Sequence, residues 1–172
     1  MLNQDFKEIL SAFIEEKVEF LVVGAYAMAF HGYVRATGDI DLWIRISDEN
    51  AKRVWQALQT FGAPLFDLNI EDLKTPRMVF QIGLVPSRID VITQIDGVEF
   101  DDAWKEHKTV EIENLQIPVI GKTQLLLIKN QPADPEQAQD IVNVNFHRTA
   151  ARYGVYKLLQ KLSGINLCSS PI

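Results

Sequence analysis

Gly32-Tyr33-Val34-Arg35-Ala36-Thr37-Gly38-Asp39-Ile40-Asp41-Leu42-Trp43-Ile44 is the stretch on which the reading of this chain turns. Thr37-Gly38 marks a turn, and residues 39–46 follow as an apolar strand that carries two aspartates one residue apart. Side chains on a strand alternate faces, so Asp39 and Asp41 emerge on one side of a sheet, their stems roughly 6.5–7 Å apart. Two hard oxygen donors at that spacing can hold one divalent ion, or bridge two ions about 3.5–4 Å apart. Burying two like charges side by side without a cation is costly, which points to metal chemistry. The plainer reading is a strand-end pair in ion pairs with Arg35, Arg45 or Arg88.

Upstream, Phe6, Ile9, Leu10, Phe13 and Ile14 recur at spacings of three and four and predict an amphipathic helix over residues 4–17. Residues 19–23 read as a short buried strand that stops at Gly24, and residues 25–30 as a short helix running to Gly32. Downstream, Ser47 or Asp48 caps a helix with Ala51, Val54, Trp55, Leu58 and Phe61 on one face, ended by Gly62-Ala63-Pro64. Residues 65–76 read as a loop with one helical turn. Residues 78–83 and 88–93 read as strands around Pro86-Ser87, and residues 110–112 and 116–120 as a hairpin around Glu113-Asn114. A short apolar helix over 123–129 follows, then a helix start at Asp134-Pro135-Glu136-Gln137 and a last helix over about 149–162. The expected class is α/β (α+β), with a small mixed central sheet flanked by helices. Residues 1–147 are expected to form one domain, 148–164 a helix packed on it and 165–172 a flexible tail.

A chain of 172 residues with 47% hydrophobic and 23% charged residues has the composition of one folded domain and not of a disordered segment. The longest apolar stretch, near residues 20–30, is too short to span a bilayer. Residues 1–5 lack a basic region, so no secretory signal is expected, and a cytoplasmic setting is the default. Cys168 stands alone, which excludes a disulfide framework or a cysteine metal site. A net charge of −6 argues against a broad nucleic-acid surface while leaving room for a small phosphorylated ligand.

Three pieces converge on chemistry. Gly24-Ala25-Tyr26 lies where a strand turns into a helix and offers backbone N–H groups to an anion. Asp39 and Asp41 open the next strand. Asp90, in Arg88-Ile89-Asp90-Val91-Ile92, interrupts an apolar strand, and if that strand lies beside the second one it completes a three-carboxylate cluster. A phosphate cradle opposite such a cluster suits phosphoryl or nucleotidyl transfer. Other motifs carry less: Gly121-Lys122-Thr123 resembles the end of a P-loop, but the required earlier glycine is Gln116. His31, His107 and His147 are too scattered for a metal triad, and the charged residues 105–108 need no function.

The order Gly24-Ala25, then Arg35-x-Thr37-x-Asp39-Ile40-Asp41, then an isolated Asp90 resembles the minimal nucleotidyltransferases of the DNA polymerase β superfamily. The likeness covers about residues 5–145 and is nearest to the AbiEii/MNT-type toxin–antitoxin nucleotidyltransferases and the aminoglycoside and lincosamide enzymes. It implies a palm-like nucleotidyltransferase fold and Mg²⁺-dependent transfer of NMP from an NTP to a hydroxyl of a protein, RNA or small-molecule acceptor. By position, Gly24, Ala25, Thr37 and Lys129 would serve the nucleotide. Asp39 and Asp41 would hold two Mg²⁺ ions, with Asp90 as third ligand or as base. Asp140 matches an acidic position that often follows the lysine.

Two departures stand out. Ala25 replaces the usual Gly or Ser, and Pro132-Ala133-Asp134-Pro135-Glu136-Gln137 stands where relatives often carry basic residues. Both favour a second expectation, an inactive or weakly active module bound to a cognate toxin or antitoxin.

Overall fold

The computed structural model describes residues 2–34, 36–66, 68–84 and 86–130, with the backbone of residues 140–144. Helix α1 (Gln4–Glu15) is opened by Asn3, whose side chain accepts the Asp5 N–H at 2.8 Å, and buries Phe6, Ile9, Leu10 and Phe13. Strand β1 (Phe20–Val22) leads directly into α2 (Gly24–Phe30), then β2 (Asp39–Ile44). Helix α3 (Asp48–Phe61) is capped by Ser47, which accepts the Asn50 N–H at 3.1 Å, and ends at Gly62 with φ +82°. A 3₁₀ turn (Asp72–Lys74) precedes β3 (Met78–Ile82) and β4 (Arg88–Ile92). The rest are α4 (Phe100–Lys105), β5 (Lys108–Ile112), β6 (Leu115–Val119), α5 (Lys122–Lys129) and β7 (Asp140–Val144).

The described strands form one mixed sheet in the order β5-β6-β1-β2-β4-β3-β7. β2 runs antiparallel to β1 and parallel to β4, with Asp39 opposite Arg88, Ile40 opposite Ile89 and Asp41 opposite Asp90. Alternation along both strands then divides the sheet. On one face Ile40, Leu42, Ile44, Ile89, Val91, Phe80 and Ile82 are buried in a single core with Phe6, Ile9, Phe13, Val54, Leu58 and Phe61 of α1 and α3. On the other, Trp43 is covered edge-on by Phe100 of α4 at 5.1 Å, while Asp39 and Asp41 stay half-buried. The mixed α/β class and the hairpin β5–β6 agree with the sequence reading, and Glu113 and Asn114 take φ of +52° and +67° at the hairpin turn. Among the described strands β5 is the outer one on this side, with Lys108, Thr109 and Glu111 exposed.

Two elements differ from expectation. Residues 100–105, unassigned from sequence, form α4, whose Phe100 and Trp104 stack at 5.7 Å and whose Ala103 is buried. Residues 140–144, downstream of an apparent helix start, are instead the strand β7, parallel to β3. The β-branched residues Ile141, Val142 and Val144 explain this, because such residues suit a pleated surface better than a helix. The helix start at 134–137, the helix over 149–162, the tail and the boundary at 147 lie outside the described residues.

Asn50 joins the frame at one point. It is 1% exposed, accepts the Glu19 N–H at 2.8 Å and donates to the carbonyls of Glu19 and Arg45 at 3.0 and 2.9 Å. One amide thus fastens the start of α3 to the chain before β1 and after β2. Asn50→Ala removes three hydrogen bonds and strands buried backbone groups, so a stability loss of about 2–4 kcal/mol is expected in chemical denaturation. An unchanged midpoint would refute this role.

Candidate active site

The acidic face is assembled by register. The parallel pairing of β2 with β4 sets Asp41 and Asp90 side by side, on strands about 4.8 Å apart. Asp90 is 5% exposed, whereas Asp39 and Asp41 are half-buried. The three carboxylates expected from sequence therefore share one patch.

Arg88 lies within that patch. Its Nε donates to Asp90 Oδ1 at 2.8 Å, and its Nη2 donates to Asp90 Oδ2 at 2.9 Å and to Asp39 Oδ2 at 2.5 Å. Gln81, opposite Asp90 on β3, donates to Asp90 Oδ2 at 3.2 Å, and the Thr37 hydroxyl donates to Asp39 Oδ1. Charge-assisted, two-pronged bonding of this kind is the strong form of an ion pair, and it offsets the repulsion among neighbouring carboxylates. The hydrogen bond to Asp90 raises the Arg88 pKa above its ordinary value against the opposing effect of burial, with Asp39 and Asp41 adding to the rise. Tyr26, on α2, has its phenol pushed up by burial and then by the nearby Asp39. Of the three arginines named from sequence, Arg88 takes the ion-pair role. Arg45 instead pairs with Glu19 at 2.8 Å and with Asp101, and Arg35 lies outside the described residues.

Gly24 is required where it stands. Its φ is +60°, and a Cβ added there would lie 1.9 Å from Asp41 Oδ2. The Asp41 carboxylate is thus pressed against the backbone at the head of α2, space that only a glycine leaves. Ala25 follows, 6% exposed. Lys129 sits apart, exposed on α5, and lines a groove with Met28, His31, Tyr33, Lys122, Leu125 and Leu126 that includes no member of the acidic trio. Asp140 pairs with Met78, while the β7 position level with Gln81 and Asp90 is Asn143, so Asp140 is not brought into the carboxylate row.

Among the described residues, no three His, Cys, Asp or Glu side chains converge closely enough to form a ready-made metal cage. The donor set nevertheless fits a divalent ion: all three groups offer hard carboxylate oxygens, and a guanidinium already stands among them as a substitute cation. Asp39, Asp41 and Asp90 are the residues that would hold such an ion. Arg88 and Gln81 are the contributors missed as site members from sequence. A signal existed for each: Arg88-x-Asp90 places both on one face of a strand, and Gln81 is a polar interruption of an apolar run.

The site thus comprises an aspartate pair on a central strand, a third aspartate on its parallel neighbour and a glycine against Asp41. The chain belongs to the DUF2204 family, described as nucleotidyl transferases of unknown function, whose model matches residues 2–163. In fold it is similar to a candidate nucleotidyltransferase from Thermotoga maritima, whose crystal structure aligns with a TM-score of 0.50 at 15% identity, covering 92% of this chain and 90% of that one. No curated protein matches it. Among the described residues, no helix is long and apolar enough to cross a membrane.

Gly24→Ala is expected to displace the Asp41 carboxylate and to cost about 1–3 kcal/mol, combining left-handed backbone strain with a steric clash. Thermal unfolding measures the cost. A variant as stable as the parent would show that the contact is dispensable.

Proposed function

We propose that this protein is a Mg²⁺-dependent nucleotidyltransferase that moves NMP from an NTP to an acceptor hydroxyl and releases pyrophosphate. The observation that carries this reading is the register pairing of Asp41 with Asp90, with Asp39 on the same face. Bound by these carboxylates, Mg²⁺ would align the acceptor oxygen with the α-phosphate and offset charge on the departing pyrophosphate. The rest is work for the chain itself. Asp39, Asp41 and Asp90 hold the cation, with Asp90 alternatively placed to receive the acceptor proton. Gly24 and Ala25 offer backbone to the triphosphate and Thr37 orients Asp39, while a phosphate role for Lys129 would require the nucleotide to extend to the separate groove that it lines.

The acceptor is a protein, an RNA or a small molecule. Room for it exists beyond Trp43, where an open groove of about 630 Å³ is lined by Arg45, Thr93, Phe100, Asp101 and Lys105. The ordered motifs favour a relationship with the AbiEii/MNT-type enzymes of toxin–antitoxin pairs, which makes a cognate toxin or antitoxin a reasonable partner to seek. One observation supports a weakly active module instead: the Arg88 ion pairs already satisfy both oxygens of Asp90.

The test is pyrophosphate release and transfer of labelled NMP from each of the four NTPs with Mg²⁺, using the chain itself, bulk RNA and small polyols as acceptors. Asp41→Asn and Asp90→Asn are each expected to lower the rate about 100-fold or more, since loss of even an indirect support of a metal ligand costs 10–100-fold. Failure of any NTP to bind in the presence of metal would sink the enzymatic reading.

A further inference from the structure

We propose that Arg88 is a resident counter-cation that closes the carboxylate row, and that a divalent ion enters by displacing its guanidinium from Asp39 and Asp90. This rests on the metal reading above and adds a gate to it.

The geometry leaves little alternative use for the same oxygens. Asp90 has both oxygens engaged, by two Arg88 nitrogens and by Gln81, and one of those nitrogens also serves Asp39. A guanidinium and a metal ion cannot share these positions, because like charges in a partly dehydrated patch repel. Leaving the row without a cation is costly, since removing one partner of a buried ion pair leaves an uncompensated charge on Asp90. One positive group must therefore replace the other.

Two features make the exchange feasible. The Arg88 side chain is 29% exposed, so its head can swing into water on a long stem, whereas the Asp90 side chain is 7% exposed and cannot follow. Gln81 remains bonded to Asp90 Oδ2 after Arg88 leaves, which keeps the carboxylate aimed at the row. Arg88 and Asp90 are two apart on β4 and leave the same face, so the gate is built into the strand that supplies the ligand.

Binding of Mn²⁺ alone to the full chain, followed through the free-ion electron paramagnetic resonance signal with no nucleotide present, tests this. Arg88→Gln is expected to bind Mn²⁺ about tenfold more tightly than the parent, within the usual range of coupling between two binding events. Asp90→Asn added to Arg88→Gln should abolish the gain and so place the ion in this row. In the parent, titration with Mg²⁺ should shift the Arg88 Nε–H resonance from an ion-paired to a solvated position.

If Arg88→Gln does not fold, Arg88→Lys substitutes for it. A point charge cannot bridge two carboxylates, so tighter Mn²⁺ binding than the parent supports the gate. Equal or weaker binding by a folded Arg88 variant overturns the gate alone. Absence of Mn²⁺ binding from parent and variants overturns both the gate and the metal reading.

Discussion

The parallel pairing of β2 with β4 is the constraint on which the rest depends. A strand has only two faces, and register decides which residues of neighbouring strands share one. Here it places Ile40 and Leu42 beside Ile89 and Val91, and in the same step Asp39 and Asp41 beside Arg88 and Asp90. Core and site are two sides of one alignment. A slip of one residue would bury the carboxylates and expose the aliphatic row, so the apolar face under α1 and α3 enforces the geometry of the acidic face.

That enforcement explains how like charges can be gathered in a folded chain. Burial of the aliphatic row stabilises the pairing, at about 25 cal/mol for each Å² of apolar surface removed from water. Carboxylate repulsion opposes it, and the Arg88 guanidinium reduces the opposition by bonding to two of the three groups. Gly24 acts in a different way, through the absence of a side chain, by letting Asp41 press against the start of α2. Attraction, repulsion and steric allowance thus meet within a few residues of one another.

Much of this was legible in the sequence. The Asp39-Ile40-Asp41 spacing gave the shared face, and Asp90 stood out as a charge inside an apolar strand. Adjacency of β2 and β4 was not legible, because pairing between distant strands leaves no local pattern, and so the choice among Arg35, Arg45 and Arg88 stayed open. Helix α4 was hidden by its length: six residues with three charges show too little periodicity to signal a face, although Phe100, Ala103 and Trp104 make one. Strand β7 was obscured by Asp134-Pro135, a helix-start signal whose influence is local, while the β-branched residues that follow favour extension. Asp140 fell outside the row for the same reason, since its level on the sheet depends on pairing with β3.

The outer strand β5 carries a consequence of another kind. An outer strand presents unpaired backbone groups to any passing chain, and a flat apolar one invites strand addition and aggregation. Here the exposed Thr109 and Glu111 alternate with the inward-facing Val110 and Ile112, and the exposed Lys108 opens the strand, so a second copy approaching edge to edge would have to strip water from a lysine and a glutamate. The side chains of this edge thus disfavour strand addition, independently of any chemistry on the acidic face.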